Sequence, residues 1–480
     1  MQKILNYIDG QFCDALSGKT IENYDPAVGK VYSLIPDSDE SDVSRAVEAA
    51  AKAFSSWSEM PVSERSRILL RIADLVDENL DSLALAESVD NGKPLSLANR
   101  MDIPRASANM RFFATAALHF SSDAHITDSQ AINYTHHSPV GVAGCISPWN
   151  LPLYLFTWKI APALAAGCTV VAKPSELTPM TSYMFGLICR DAGLPPGVLN
   201  IVNGYGAKAG QAIIEHPQVS AISFTGGTVT GKKIASVAAP MFKKMSLELG
   251  GKNPNLVFAD CDFEKALTTS IQSSFSNQGE ICLCGSRIFV EEKIYEEFTK
   301  EFIKRTRDLN VGDPLDENTA IGALISEAHM QKVLGYIDLA RQEGGTVQCG
   351  GERINPGGRC ASGYYVTPAV ITNLGHLCRT NQEEIFGPVV SIMPFKNELQ
   401  AIEFANSTPY GLSATIWTEN LNRAHRVSAK IRSGIIWVNC WLYRDLRTPF
   451  GGMKQSGVGR EGGWDALQFF TDTKNVCIRL

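Results

Sequence analysis

One pattern recurs along this sequence and restricts its fold: a short apolar run rich in β-branched residues, a glycine or proline turn, and then a stretch with helical periodicity. In the first half such runs occupy residues 140–146, 168–172, 198–202 and 219–224. The last run leads into a predicted helix at residues 228–239. Strands that alternate with helices at this spacing predict a parallel sheet covered by helices on both faces.

The second half repeats the pattern, whereas an early segment is purely helical. Further strands are predicted at residues 255–258, 287–290, 389–394, 415–417 and 435–439. Residues 40–98 are predicted to form consecutive helices, because Val43, Val47 and Ala50 recur at helical spacing and Asp42 and Glu64 suit helix starts. A chain of 480 residues is too long to fold around one compact core. We therefore expect two α/β domains.

Charge and hydropathy exclude several partners. The formal net charge of −6 does not supply the basic surface that nucleic acid requires. Apolar stretches such as residues 160–171 are interrupted by Pro162 and Gly167 and are too short to span a membrane. The first residues lack the features of an export signal. We expect a cytoplasmic protein that binds neither nucleic acid nor membrane.

The twelve cysteines are scattered, and the only close spacing is Cys282-Leu283-Cys284. No second pair and no histidine at ligand spacing accompanies it, so no metal site is expected. Cys282 follows Asn277-Gln278-Gly279, which predicts a helix start or an irregular turn. Backbone N–H groups there would lower the thiol pKa and provide a nucleophile. The alternative is a cysteine that only packs.

Glu248 stands between two leucines and directly before Gly250 and Gly251. Burial in such a place would raise the pKa of the carboxyl toward the range that suits a general base. A purely structural glutamate is the alternative.

Two further segments have features of nucleotide sites. Gly226 and Gly227 lie between a strand and a helix start, where free N–H groups attract phosphate, although a plain tight turn is the alternative. Lys173 and Glu176 follow a buried strand and could reach ribose hydroxyls, and the carboxylate favours NAD over NADP. A solvated turn with a surface ion pair is the other interpretation.

Several blocks together resemble, in order and spacing, the signatures of the aldehyde dehydrogenase superfamily. They are Lys173-Pro174-Ser175-Glu176, Phe224-Thr225-Gly226-Gly227, Leu247-Glu248-Leu249-Gly250-Gly251-Lys252, Asn277-Gln278-Gly279 with Cys282, Glu383-Glu384-Ile385-Phe386-Gly387-Pro388 and Pro449-Phe450-Gly451-Gly452. The resemblance spans essentially the whole chain. It implies a Rossmann-like NAD-binding domain (residues 1–118 and 139–250), a second α/β catalytic domain (251–449) and a small β oligomerisation arm (119–138 and 466–480). Homodimers or homotetramers would follow from that arm.

The resemblance also assigns catalytic roles. Cys282 would attack the aldehyde, Asn150 and the Cys282 backbone N–H would stabilise the oxyanion, and Glu248 would activate the water that hydrolyses the thioester. Glu461 would assist proton transfer. Cys284 lies outside the nucleophile position and is interpreted as a packing residue or an accidental redox partner.

The cofactor implied by the resemblance is NAD. Lys173 and Glu176 would hold the adenosine ribose, and Glu384 the nicotinamide ribose. Phe386 would lie against the nicotinamide, with Trp149 beside the pyrophosphate. Two positions depart from many members of the superfamily: Gly227 replaces a serine, which leaves backbone amides to contact the pyrophosphate, and Glu280 replaces a glutamine.

Two arginines narrow the class of substrate that the site is expected to bind. Arg105 opens a helix, and Arg444 lies in the loop before Pro449; both border the substrate tunnel by resemblance. With Cys282-Leu283-Cys284 they resemble the 2-aminomuconate and 2-hydroxymuconate semialdehyde dehydrogenases of aromatic and tryptophan breakdown. The guanidinium groups would bind a substrate carboxylate.

In the alternative, each arginine pairs with a nearby acid, for instance Asp102 or Asp445. Arg447 would either face the substrate or brace its loop.

The sequence therefore predicts NAD-dependent oxidation of a carboxylate-bearing semialdehyde, 2-aminomuconate 6-semialdehyde, to 2-aminomuconate. The alternatives are 2-hydroxymuconate semialdehyde or general aldehydes, and a CoA-acylating enzyme, a class that usually lacks the glutamate base. A non-catalytic protein on the same fold is the hypothesis from another class.

Overall fold

The first sheet confirms the α/β prediction for the first half of the chain. The computed structural model describes residues 2–480. Across this sheet the strands follow one another as Gly457–Val458, Lys244–Leu249, Val219–Gly226, Val142–Ile146, Thr169–Lys173, Leu199–Ile201, Asn6–Ile8 and Gln11–Cys13. The strands from Lys244–Leu249 to Leu199–Ile201 are mutually parallel. In chain order these strands lie as 3-2-1-4-5, the order of a Rossmann-type sheet.

Both faces of this sheet are covered, as predicted. In the strand Thr169–Lys173, Val170 and Ala172 belong to one apolar cluster and Val171 belongs to another. Successive side chains of a strand point to opposite faces, so the two clusters lie on opposite sides of the sheet. The helix Pro152–Ala166 contributes to the first cluster and the helix Glu40–Glu59 to the second.

The second sheet holds the strands predicted from the second half. In order they are Thr346–Cys349, Ala369–Thr372, Val389–Phe395, Arg287–Glu291, Pro254–Val257, Ser413–Trp417 and Ile435–Val438. All neighbours are parallel except the first pair. The two sheets match the expected pair of α/β units, while the domain boundaries stay a prediction.

The helices predicted between residues 40 and 98 are present. The first begins at a capping box. The Asp39 side chain accepts a hydrogen bond from the backbone N–H groups of the first turn, and the Asp42 side chain accepts one from the Asp39 backbone N–H. The longer helices of the chain are Glu40–Glu59, Val62–Glu78, Leu80–Asn91, Ile103–Ala116, Pro152–Ala166, Met180–Asp191, Thr228–Ala238, Phe263–Phe275, Glu292–Arg307, Glu327–Gln342, Glu398–Asn406 and Leu421–Lys430. Across residues 2–480, none of the helices combines the length and apolar character needed to cross a membrane.

A third, antiparallel sheet forms the arm. Its strands are Thr471–Arg479, Ala131–Pro139 and Ala124–Thr127, in that order. The first two strands pair with each other, from Thr471 opposite Pro139 to Arg479 opposite Ala131. Their alternating polar and apolar residues fit one two-sided ribbon, and its outer edges stay unpaired in the described chain.

Candidate active site

The site lies where the strand order of the first sheet reverses. The neighbouring strands Val142–Ile146 and Val219–Gly226 end at the same edge of the sheet. In open α/β sheets, ligands bind in the crevice outside the carboxyl ends of such strands. A cavity of about 240 Å³ lies there, here called the cofactor cavity. It is lined by Pro148, Trp149, Asn150, Thr225, Gly226, Gly227, Leu249, Gly250, Cys282, His329, Lys332, Glu384 and Phe386.

Cys282 lies in an irregular turn, as the sequence predicts. Before it, Asn277 and Gln278 have φ of 52° and 58°, a left-handed conformation that kinks the chain. Asn253 Nδ2 donates to the Cys282 carbonyl oxygen at 2.7 Å and holds the turn. Cys282 lines both the cofactor cavity and a second, much narrower cavity, here called the substrate cavity. The thiol therefore stands at the junction of the two.

The expected lowering of the Cys282 pKa was wrong. Burial raises the pKa of this thiol well above its ordinary value, and the carboxyl groups of Glu248 and Glu384 raise it further. The guanidinium of Arg444 opposes this effect. A partly buried thiol whose pKa is raised in this way keeps its proton, so it needs a base to take that proton when it attacks.

Glu248 occupies the place that a base would need. It lies in the strand Lys244–Leu249, is 3 % exposed and lines the substrate cavity together with Cys282. Burial, and secondly the nearby Glu461, raise the pKa of its carboxyl to about 8, in the direction the sequence predicts.

Glu461 is held by a buried cation. Lys159 Nζ lies 2.9 Å from Glu461 Oε1, and Ser223 Oγ donates to the same oxygen at 3.2 Å. Glu461 also lines the substrate cavity. Glu248, Glu461 and Lys159 thus form a row of ionisable groups that begins beside Cys282 and continues into the interior.

The Asn150 side chain is fixed beside the thiol. It is 3 % exposed, and its Nδ2 donates to the Glu280 carbonyl oxygen at 2.8 Å. Glu280 itself is fully buried, and burial raises the pKa of its carboxyl well above the usual range. Asn150 and Cys282 line the same cavity, so the amide lies on the wall that an oxyanion would face.

The residues predicted to hold the nicotinamide end and to lie beside the pyrophosphate meet in the cofactor cavity. Glu384 Oε1 accepts a hydrogen bond of 2.9 Å from the Gly251 N–H. A Cβ at Gly250 would lie 2.0 Å from Glu384 Oε2, so only glycine leaves room for this carboxylate. The rings of Phe386 and Trp149 meet edge to face at 5.3 Å.

The remaining cofactor residues lie along the same edge of the sheet. Gly227 directly precedes the helix Thr228–Ala238, and a Cβ there would meet nothing within 4 Å, so space remains for a ligand. A Cβ at Gly226 would contact the Phe224 ring at 2.4 Å. Lys173 ends the strand Thr169–Lys173, is buried, and pairs with the partly exposed Glu176 at 2.9 Å. Lys173 and Glu176 do not line the cofactor cavity itself.

The two arginines converge on one aromatic group. Arg444 lines the substrate cavity, and its Nη1 donates to the Tyr154 hydroxyl at 2.6 Å. Its guanidinium lies 3.9 Å from the Phe450 ring centroid and 5.1 Å from that of Trp158. Arg105 lies 5.6 Å from the Tyr154 ring and is not itself a lining residue.

Neither arginine has an acidic partner within residues 2–480. Asp102 pairs with Lys93, and Asp445 pairs with Arg447 at 2.6 Å. In the described chain, Arg105 Nε and Nη2 are buried without a hydrogen-bond partner. Asp102 and Asp445 thus form their direct ion pairs with other residues, and Asp445 holds Arg447 within its own loop.

Sequence reasoning missed several residues of the site. His329 and Lys332 line the cofactor cavity from the helix Glu327–Gln342, whose sequence is an ordinary amphipathic pattern without a signal. Lys159 did carry a signal, because a lone lysine in the apolar helix Pro152–Ala166 needs a buried partner. Across the described chain, no three His, Cys, Asp or Glu side chains are arranged to hold a metal ion.

Comparisons with known proteins agree with this geometry. The model of the aldehyde dehydrogenase family matches residues 12–476. The human 2-aminomuconic semialdehyde dehydrogenase is 50% identical over 477 residues, which cover 99% of this chain and 98% of the relative. The 2-hydroxymuconic semialdehyde dehydrogenase of Pseudomonas sp. (strain CF600) is 47% identical, with all of both chains covered.

Solved structures give the same result. The NAD+ complex of an aldehyde dehydrogenase from Bacillus cereus superposes with a TM-score of 0.97 at 40% identity, covering 100% of this chain and 97% of that one. The resemblance drawn from the sequence motifs is confirmed, and the chain belongs to the aldehyde dehydrogenase family.

Proposed function

We propose that this protein oxidises a carboxylate-bearing semialdehyde to the dicarboxylic acid, with NAD as hydride acceptor and water as the final nucleophile. The observation that carries the proposal is Arg444: it faces the cavity that holds Cys282 and Glu248, and it pairs with no carboxylate in residues 2–480. A partly buried guanidinium without a paired carboxylate favours an anionic ligand.

The cofactor cavity fits NAD. A helix start at Gly227, the space that Gly250 leaves for Glu384, and the Phe386 and Trp149 rings offer a phosphate site, a ribose acceptor and an apolar wall. Lys173 and Glu176 extend this edge toward an adenosine ribose. When bound, NAD supplies the hydride acceptor for the aldehyde carbon.

In the first half of the reaction, Cys282 forms the covalent bond. Its sulfur attacks the aldehyde carbon while its proton passes to Glu248, whose carboxyl lines the same cavity. The carbonyl oxygen becomes an oxyanion, which the Asn150 amide stabilises. Loss of hydride then leaves a thioester on Cys282.

In the second half, water hydrolyses the thioester. Glu248 first passes the thiol proton inward, because Glu461 and Lys159 continue the row of ionisable groups behind it. Its carboxylate then takes a proton from the water, whose oxygen bonds to the acyl carbon as the carbon–sulfur bond breaks. The Cys282 thiolate regains that proton from Glu248 and the carboxylic acid leaves, so the net proton released is the one that moved inward.

The substrate is 2-aminomuconate 6-semialdehyde. The human relative, whose name gives a 2-aminomuconic semialdehyde substrate, and the two arginines support this assignment. The relative from Pseudomonas sp. (strain CF600) favours 2-hydroxymuconate semialdehyde as the second candidate. Both molecules carry a carboxylate that Arg444 and Arg105 would bind.

Steady-state rates of NADH formation test the proposal. The two muconic semialdehydes and an aliphatic aldehyde of similar length are compared at equal enzyme. We expect kcat/KM to be highest for the amino compound. Equal values for the aliphatic aldehyde would remove the carboxylate argument, and a strict requirement for CoA would remove the hydrolytic one. No NADH from any of them would support a non-catalytic role.

The protein is proposed to form homodimers or homotetramers in the cytoplasm. The outer strands of the arm sheet expose large apolar side chains: Ile126 is 74 % and Ile478 is 51 % exposed. Unpaired apolar edges of this kind favour association with a second copy. All twelve cysteines are free thiols, as suits a reducing compartment.

A further inference from the structure

Lys93 is a buried cation that none of the proposed steps uses. Lys93, Glu87 and Asp102 are all 0 % exposed. The Lys93 ammonium forms an ion pair with Asp102, lies 3.7 Å from Glu87 Oε1, and donates to the Asn150 carbonyl oxygen at 3.1 Å. Burying such a charge is costly unless it is paired, so the ammonium must keep these contacts, and they hold its position.

These contacts join two segments that border the reacting thiol. Asp102 directly precedes the helix Ile103–Ala116, in which Arg105 lies one turn further on. Glu87 Oε2 accepts a hydrogen bond of 3.3 Å from the Leu153 N–H. Leu153 lies at the start of the helix Pro152–Ala166, which forms another wall of the substrate cavity. Lys93 therefore connects the helix of Arg105 to the backbone around Asn150.

The position of the Asn150 amide depends on this connection. Its carbonyl oxygen receives hydrogen bonds from Lys93 Nζ and from Asn277 Nδ2, both at 3.1 Å. Its side-chain Nδ2 donates to the Glu280 carbonyl oxygen. With the backbone carbonyl held at one end and the amide at the other, a shift at Lys93 moves the amide relative to Cys282.

We infer that Lys93 is a positioning residue: it fixes the backbone of Asn150 so that the amide faces the oxyanion, and through Asp102 it holds the Arg105 helix at the same point. The inference rests on the proposed function, because it takes Asn150 as the oxyanion donor. Lys93 itself is not among the residues that line the two cavities.

The double variant K93M/D102N replaces both members of the ion pair with uncharged side chains of similar size. Burial raises the pKa of Glu87 to about 7, and Lys93 opposes that rise, so without Lys93 the Glu87 carboxyl takes up a proton and leaves no net charge in the cluster. We expect kcat to fall by about 10- to 100-fold for both a muconic semialdehyde and an aliphatic aldehyde, because the oxyanion is common to both.

A matched control is K243M. Lys243 is also buried and also donates to a backbone carbonyl, that of His216, but it lies outside both cavities. It should keep kcat within about threefold of the parent value. The melting temperature and the dissociation constant for NAD, measured by fluorescence, should stay close to the parent values in both variants.

A double-mutant cycle with N150A separates positioning from general stability. If Lys93 acts through Asn150, the K93M/D102N changes cost less than about threefold in kcat when Asn150 is already alanine. Full additivity overturns the inference, and so does parent-like kcat in folded K93M/D102N. Parent-like activity of N150A alone would instead refute the proposed oxyanion role. If K93M/D102N does not fold, the isosteric D102N is carried through the same cycle, and additivity with N150A overturns the inference there too.

Discussion

The Arg444 guanidinium donates a hydrogen bond of 2.6 Å to the Tyr154 hydroxyl and lies over the Phe450 ring, yet it meets no carboxylate in the described chain. The same loop supplies Asp445, which pairs with Arg447 instead. Aromatic rings and a phenol leave the positive charge unneutralised at the wall of the substrate cavity. The structure thus keeps a cation next to the nucleophile, at the cost of desolvating it.

Replacement of Arg444 by alanine should weaken binding of the carboxylate-bearing substrate. We expect R444A to raise KM for a muconic semialdehyde by about 10- to 100-fold, the loss of roughly 1.5–3 kcal/mol from a charge-assisted contact. R105A should act in the same direction. Steady-state kinetics check both.

The control for this prediction is R447A. Arg447 stands in the same loop but is 80 % exposed and bound to Asp445, so its removal should leave KM nearly unchanged. Equal effects of R444A and R447A would mean that the loop, and not the guanidinium, determines KM.

Only one thiol of the Cys282-Leu283-Cys284 segment should be required. C282A should lower kcat by at least about 1000-fold, because no covalent intermediate can form. Cys284 is buried, and burial raises its pKa to about 12, so C284A should keep kcat within about threefold of the parent value. Rates of NADH formation with each variant decide between the two thiols; a large loss in C284A alone would reverse the assignment.

The rate of thioester hydrolysis should rise with pH through about 8. Burial raises the Glu248 pKa to about 8, so its carboxyl is protonated and inactive as a base below that pH and ionised above it. Hydrolysis should increase nearly tenfold per pH unit below 8 and level off above it. E248Q should lose this dependence and slow both thioester formation and thioester hydrolysis, so no burst of NADH should precede its low steady-state rate. Parent-like rates with the parent pH dependence in E248Q would exclude Glu248 as the base.

Glycine at position 250 should be required for NAD. An alanine Cβ there would lie 2.0 Å from Glu384 Oε2 and displace the carboxylate, so we expect G250A to raise KM for NAD by about tenfold or more. G335A is the control, since a Cβ at Gly335 would meet nothing within 4 Å and this residue lies outside both cavities. Similar KM values in the two variants would show that the Glu384 position does not matter for the cofactor.

The strands and helices were predictable because they depend on local periodicity. The strand at residues 219–224 and the helix at 228–239 were found nearly at their observed bounds of Val219–Gly226 and Thr228–Ala238. The arm was harder: strand Thr471–Arg479 pairs with a segment more than three hundred residues earlier, and nothing local shows whether that partner belongs to the same chain.

The residue types of the candidate site were readable in the sequence, because a thiol, a carboxyl and an amide keep their chemistry wherever they stand. Cys282, Glu248 and Asn150 were named from motifs, and the structure brings them to the walls of adjoining cavities. Their ionisation was not readable. The sequence predicted a lowered pKa for Cys282, whereas burial raises it, since desolvation depends on what surrounds the group in three dimensions.

Charge pairing was likewise decided by the tertiary structure alone. Asp102 lies three positions before Arg105 in the chain, but the fold turns it toward Lys93, and Lys93 reaches across to the Asn150 carbonyl. The sequence by itself determined the family and the fold class, and it named the groups proposed to react. Only the tertiary structure decided which charges are neutralised and which remain for a substrate, because a buried charge pairs with whatever packing brings within a few ångströms.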